Sequence, residues 1–166
     1  VLDFQNECST KPFRTLVGND ETVWESAGFN IPTPTLTRHP FEEYHTDQDN
    51  IKNFSFKSFY QTEKICQNFI NMFENDKIVK RNFKGLIALS NPDLNLYRDQ
   101  PNSTIKKKLN AESLKWAMFQ DYLFCMLEGN SSIFSFAESS KLPYNDLLGY
   151  FDSLKKKNLI KYKNIK

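Results

Sequence analysis

The sequence is poor in the side chains that usually announce a metal or redox site. Its three cysteines, Cys8, Cys66 and Cys125, stand far apart with no CxxC pair, which argues against a cysteine zinc site and, with the odd count, against a disulfide framework. They read as ordinary reduced thiols. Only two histidines occur, His39 and His45. No apolar run approaches the ~20 residues needed to cross a bilayer, and the opening "VLDFQNECST" lacks the basic then apolar layout of an export signal. A cytoplasmic location without membrane contact is therefore expected. A chain that opens on Val rather than Met reads as a piece of a longer protein, or as one from which residues have been removed.

What the sequence does hold is enough apolar and aromatic material, 39% and 14%, to build a core in one medium domain or two small ones. Charge is unevenly spread. Residues 1–50 carry Lys11, Arg14 and Arg38 against nine carboxylates, a net of −6, so the rest carries about +8 of the overall +2. Both histidines lie in the acidic part. An acidic, histidine-bearing segment suits cations, whereas the basic remainder suits an acidic partner or simply a solvated face.

The first fifty residues, with the apolar snatches "TLV" (15–17) and "IPTPTL" (31–36), have the texture of strand ends and loops. Phe59, Ile65, Phe69, Ile70, Met72 and Phe73 recur at steps of three and four, predicting a helix of several turns between Ile51 and about Lys80 with a wide apolar face. "NFKGLIALSNPDLNLY" (82–97) reads as a short strand ending in a proline turn, and "RDQPNSTIKKKLN" (98–110) as a linker. Beyond it, Leu114, Trp116, Ala117, Phe119, Leu123, Met126 and Leu127 share a stripe over 111–129, a helix for which Gly129 would be the C-cap. A short helix, a turn at Leu142-Pro143, a helix carrying Leu147, Leu148, Tyr150, Phe151 and Leu154, and a closing strand "LIKYK" follow. That order is the order of a winged helix-turn-helix.

A lone histidine is more often a surface or hydrogen-bonded residue than a ligand, but His45 has context. Read as one unit, "GNDETVWESAGFNIPTPTLTRHPFEEYHTDQDN" (18–50) resembles the C-terminal metal-binding segment of the co-catalytic zinc aminopeptidases, the clan of aminopeptidase Y and glutamate carboxypeptidase. The matching features are Asp20 in "GNDE", "GFNIP" at 28–32, and His45 with Asp49 in "HTDQDN". Adding Arg38, "PFEEYHT" at 40–46, "FKGLIALS" at 83–90 and the helical tail, nearly the whole chain is similar to bacterial aminopeptidase-like proteins with a C-terminal winged helix.

The resemblance implies an α/β fold: part of a zinc-aminopeptidase-like mixed sheet with flanking helices over residues 1–106, then a small winged-helix domain over 107–166. It also implies a site of two zinc ions, with Asp20 on one ion and His45 on the other. In such sites a metal-activated water attacks the substrate carbonyl and a glutamate takes its proton. Asp49 and Glu21 would support the ligands from behind, with Asp49 alternatively capping a helix near Ile51. Arg38 would hold a substrate carboxylate or amide, or pair with an acidic neighbour.

The clan's other ligands and its catalytic glutamate precede the "GNDE" segment and have no counterpart in the 19 residues before Asp20. Glu42-Glu43 belongs to the approach to His45 and is rejected as the catalytic pair. His39 matches no ligand and reads as a surface residue. The chain alone is therefore expected to be inactive, and a truncated sheet would favour a partner chain or self-association. The alternatives are a non-enzymatic remnant acting as an interaction module through its winged helix, and a DNA-binding regulator. Nucleic acid is the less favoured partner: Asp146 stands at the start of the candidate reading helix, Lys155, Lys156 and Lys157 at its far end complement the helix dipole, and residues 107–166 hold no arginine.

Overall fold

The computed structural model of the chain describes residues 9–16, 18–98 and 111–165. Its elements run α1 (Glu21–Trp24), a 3-10 turn (Ile51–Asn53), α2 (Phe56–Asn75), β1 (Ile78–Arg81), α3 (Ala111–Met126), β2 (Glu128–Ser132), α4 (Ile133–Ser140), α5 (Tyr144–Lys156) and β3 (Ile160–Lys163). No helix among the described residues is long and apolar enough to cross a membrane. The chain divides into two compact units that part between Asn68 and Phe69, within α2. The boundary expected at 106/107 lies outside the described residues.

The C-terminal unit is built around a three-stranded antiparallel sheet of order β2-β1-β3. Val79 faces Tyr162 and is fully buried, whereas Lys80 stands opposite Lys161 on one side and Glu128 on the other. Arg81 reaches across to Glu128 at 2.6 Å. The short, half-buried β1 is thus the central strand, and both edges are blunted, by polar "EGNSS" on β2 and by Lys161 and Lys163 on β3.

Helices α3, α4 and α5 pack their apolar stripes onto this sheet. Trp116, Leu123, Leu127, Ile133, Phe136, Leu147, Phe151, Leu154 and Ile160 are almost wholly excluded from water. Buried aromatic side chains of this size each contribute several kcal/mol, about 3–5 on truncation to Ala. The start of α4 is closed from two directions: Ser132 Oγ accepts from Ser135 N, while Asp76 Oδ1 and Lys77 O accept from Phe134 N and Ile133 N at 2.9 and 3.1 Å. Those otherwise orphaned amides tie the segment before β1 to the helix that follows β2.

Four readings from sequence are corrected here. Residues 82–97 form turns and bends rather than a strand; the strand is Ile78–Arg81, where β-branched Ile78 and Val79 meet partners on both sides. "IPTPTL" forms no strand, because its prolines offer no backbone donors, and the sheet is antiparallel throughout rather than mixed. Gly129 is not a helix C-cap: α3 ends at Met126, and Gly129, at φ +86°, lies in β2 where an added Cβ would come within 3.0 Å of the Lys80 side chain. Glycine is required there both for its dihedral and for that close approach.

Segment 82–98 nonetheless belongs to the core. Leu89 and Leu96 are buried, and Gln120, also buried, fastens the strap. Its Nε2 donates to Leu96 O and Tyr150 Oη, both at 3.0 Å, and its Oε1 accepts from Arg98 N at 3.3 Å. The Arg98 guanidinium lies 4.4 Å from the Trp116 ring centroid, a cation–π contact at the same place.

The N-terminal unit is built differently. Among its described residues only Glu21 and Ile65 are buried. Of the apolar face predicted for α2, whose last turns belong to the C-terminal unit, Ile65 is covered and Met72 is half-buried, whereas Phe59, Phe69, Ile70 and Phe73 stand open. The helix also begins at Phe56 rather than Ile51.

Two outcomes follow from the C-terminal core. Gln120→Leu leaves Leu96 O and the Tyr150 hydroxyl without partners, and should lower stability in urea by about 1–3 kcal/mol; a change smaller than the error of the fit would show the bonds to be dispensable. Burial, reinforced by Asp76 and Asp152, pushes the Tyr144 phenol up to about 12. Burial also raises Tyr150, and burial with a hydrogen bond to Asp152 raises Tyr162. Folding holds these protons more tightly than the unfolded chain does, so their contribution is complete below the ordinary tyrosine value of 10.0 and is lost as pH climbs through the folded values. The part of the tyrosinate absorbance that Tyr144→Phe removes should therefore rise together with the loss of helical circular dichroism above pH 10; its appearance while the helices are intact would contradict this.

Candidate functional site

The residues singled out by sequence lie in the N-terminal unit. Asp20 immediately precedes α1; its carbonyl accepts from Val23 N at 2.9 Å, while its side chain makes no capping bond and remains exposed. Glu21 points the other way. Its two carboxylate oxygens accept from Asn19 N at 2.7 and 2.9 Å, and Arg14 Nε lies 3.9 Å from Oε1. A buried charge is tolerated only with such partners, so Glu21 is engaged in holding its own turn. Glu25 Oε1 acts similarly, accepting from Thr33 N at 2.7 Å and pinning the loop after α1.

Arg38 forms no ion pair with the described residues. Its Nη2 donates to Ser58 O at 3.0 Å and to Gln61 Oε1 at 2.9 Å, tying the proline-rich loop to the first turns of α2. His39, Phe41, Tyr44 and His45 form a ladder of rings: edge contacts at 5.7 Å join the first three, and His45 stacks on Tyr44 at 3.9 Å with planes 22° apart. His45 adopts a left-handed backbone, φ +63°. Histidine is one of the residues that accepts this conformation at modest cost.

Asp49 is not a helix cap. Asn50 takes that place, its Oδ1 accepting from Lys52 N at 3.1 Å at the start of the 3-10 turn. Asp49 instead lines an open hollow of about 480 Å³, together with Phe41, Glu43, Tyr44, Ile51 and Phe54. His45 is absent from that lining and touches it only through Tyr44. The hollow was not anticipated from sequence. Its signal was the dense mixture of aromatic, acidic and Asn residues across 41–54, which the histidine overshadowed.

Zinc takes about four donors. No group of three or more His, Cys, Asp or Glu side chains converges among the described residues, and Glu21 is already bonded to Asn19. These residues do not make a zinc site by themselves. Asp20 and His45 are exposed single donors, Arg38 and Glu21 are structural fasteners, and Asp49 belongs to the hollow.

Comparison with known proteins adds the following. A family model described as a domain of unknown function, DUF4910, matches residues 1–76. Comparison with curated proteins found no match. Among solved structures, the crystal structure of a "putative peptidase" from Clostridium acetobutylicum is similar at 22% identity, with a TM-score of 0.62, over 88% of this chain. The likeness is one of fold, and this chain spans about 30% of the length of that protein.

The fastening role of Glu21 is measurable. Hydrogen bonds to a charged group contribute about 1.5–3 kcal/mol, so Glu21→Ala should speed amide exchange at Asn19 by about tenfold or more while leaving exchange across α3–α5 unchanged. An Asn19 amide that exchanges as before would remove Glu21 from this role.

Proposed function

We propose that this chain supplies one portion of a peptidase-like hydrolase that cleaves an N-terminal peptide bond or a related amide. The observation that carries this reading is the match of its fold, over 88% of its length, to part of the Clostridium acetobutylicum protein. The "GNDE" and "HTDQDN" pair between Gly18 and Asn50 gives it chemical content. In this reading Asp20 and His45 are single contributions to a two-zinc centre, and the other donors and the catalytic glutamate come from polypeptide beyond these residues. The isolated chain is then inactive. What its own residues do is position: Glu21 fixes the turn that presents Asp20, the Tyr44 ring holds the imidazole of His45, and Arg38 anchors the loop between them to α2.

A second role, protein contact through a winged helix at residues 107–166, is favoured by the self-sufficiency of the C-terminal unit. That unit, residues 69–166, carries its own core, and its elements from α3 onward run helix, strand, helix, helix, strand around β1, the central strand, which lies outside residues 107–166. DNA is the weaker partner. Lys155 lies over the Tyr162 ring at 4.7 Å and Lys157 Nζ donates to Asp93 O at 2.7 Å, so two of the three lysines after Leu154 are engaged within the unit.

Zinc titration by calorimetry on this chain should show no micromolar binding, and His45→Ala should titrate like the parent. In the full-length gene product, hydrolysis of aminoacyl anilides should be abolished by chelation. Asp20→Asn and His45→Ala should each lower kcat/KM by more than the ~10–100-fold that loss of a supporting group produces. A full-length product that cleaves none of a panel of aminoacyl and peptidyl amides would leave only the protein-contact role.

A further inference from the structure

The hollow at residues 41–54 has a chemistry that neither Asp20 nor His45 accounts for. It is lined by Phe41, Tyr44, Ile51 and Phe54 together with the acidic residues Glu43 and Asp49. No lysine or arginine lines it. The ion pairs of the described residues are Arg14–Glu21 and Arg81–Glu128, so Glu43 and Asp49 have no cationic partner among them. Aromatic faces are themselves electronegative, and rings combined with carboxylates favour an organic cation over a neutral or anionic group.

The walls are also braced in advance. Thr46 N and Oγ1 donate to Glu43 O at 3.0 and 2.6 Å, closing the turn that carries Glu43. Asn50 Nδ2 and Asn53 Nδ2 both donate to Gln48 O, at 3.0 and 2.7 Å, stiffening the turn that carries Asp49. Phe41 meets Tyr44 edge-on at 5.7 Å, and Phe54 is held by Phe56 and Phe59. The hollow, about 480 Å³, is open to solvent and wide enough to admit one long side chain.

We propose that this hollow is a subsite for the ammonium or guanidinium group of a basic peptide side chain, with Glu43 and Asp49 as counter-charges and Tyr44 and Phe54 flanking the aliphatic stem. As a statement about substrate it rests on the peptidase-like reading; as a statement about binding it does not require catalysis.

The test uses the 166-residue chain and two probes, Nα-acetyl-lysine amide and Nα-acetyl-norleucine amide, which share an aliphatic stem and differ in charge. Binding is followed by amide chemical shifts. The lysine probe should give saturable shifts confined to residues 41–54, and the norleucine probe should bind at least about tenfold more weakly, equivalent to ~1.4 kcal/mol. Glu43→Gln with Asp49→Asn should weaken the lysine probe by a similar factor without altering circular dichroism, and Tyr44→Ala should weaken it as well. Equal binding of the two probes, a double variant that binds like the parent, or shifts centred elsewhere would overturn the assignment. Lysine binding by a chain whose full-length product hydrolyses nothing would keep the subsite and remove the peptidase reading; hydrolysis without lysine binding would do the reverse.

Discussion

Everything in the C-terminal unit depends on β1 being paired along both of its sides. Four residues, Ile78–Arg81, supply the middle of the sheet, and Val79 within them reaches complete burial although the strand itself is short. A strand of this length is marginal alone. Flanked by β2 and β3 it presents one apolar face to three helices, and the polar groups before it cap one of those helices. If β1 were removed, the remaining strands would have nothing between them and α4 would lose the acceptors that Asp76 and Lys77 provide.

The helices were legible because their signal is local. Leu147, Phe151 and Leu154 lie at helical spacing, Leu142-Pro143 punctuates, and "LIKYK" alternates, so α5 could be placed after the proline turn and β3 at the end of the chain. The central strand was not legible for the opposite reason. "IVKR" is four residues long and follows a helix directly, and what makes it a strand is its partners some fifty and eighty residues away. The apolar snatch "FKGLIALS" looked more strand-like, but it has no strand partner among the described residues and instead lies on the core through Leu89. Gln120, the fastening of that strap, carries no pattern in the sequence, since a single amide on a mostly apolar helix looks like surface.

At the candidate site the sequence singled out a stretch of chain, and the structure adds what each side chain there bonds to. Motif spacing led to Asp20, Arg38, His45 and Asp49, but spacing cannot reveal which carboxylate turns back to bond its own amide. Glu21 does so; Asp20, its neighbour, does not. Arg38 found a helix carbonyl and a glutamine rather than an acid. The contrast with the C-terminal unit is energetic. One unit is held by apolar burial, whereas the other is held mainly by short hydrogen bonds among loops and by ring contacts near water, each contributing little alone.

The central placement of β1 also dictates an order of events during synthesis. Ile78 pairs with Ser132 and with Lys163, so each contact closes a long loop whose entropic cost must be met before the sheet stabilises anything. On the ribosome the middle strand emerges first; β2 can close one of its hydrogen-bonding sides, but the other stays open until the last strand has left the exit tunnel. The helices between can form early, but the sheet that unites them is completed only by Ile160–Lys163. Chains interrupted shortly before that point would carry a central strand unpaired along one side, an edge exposed to aggregation.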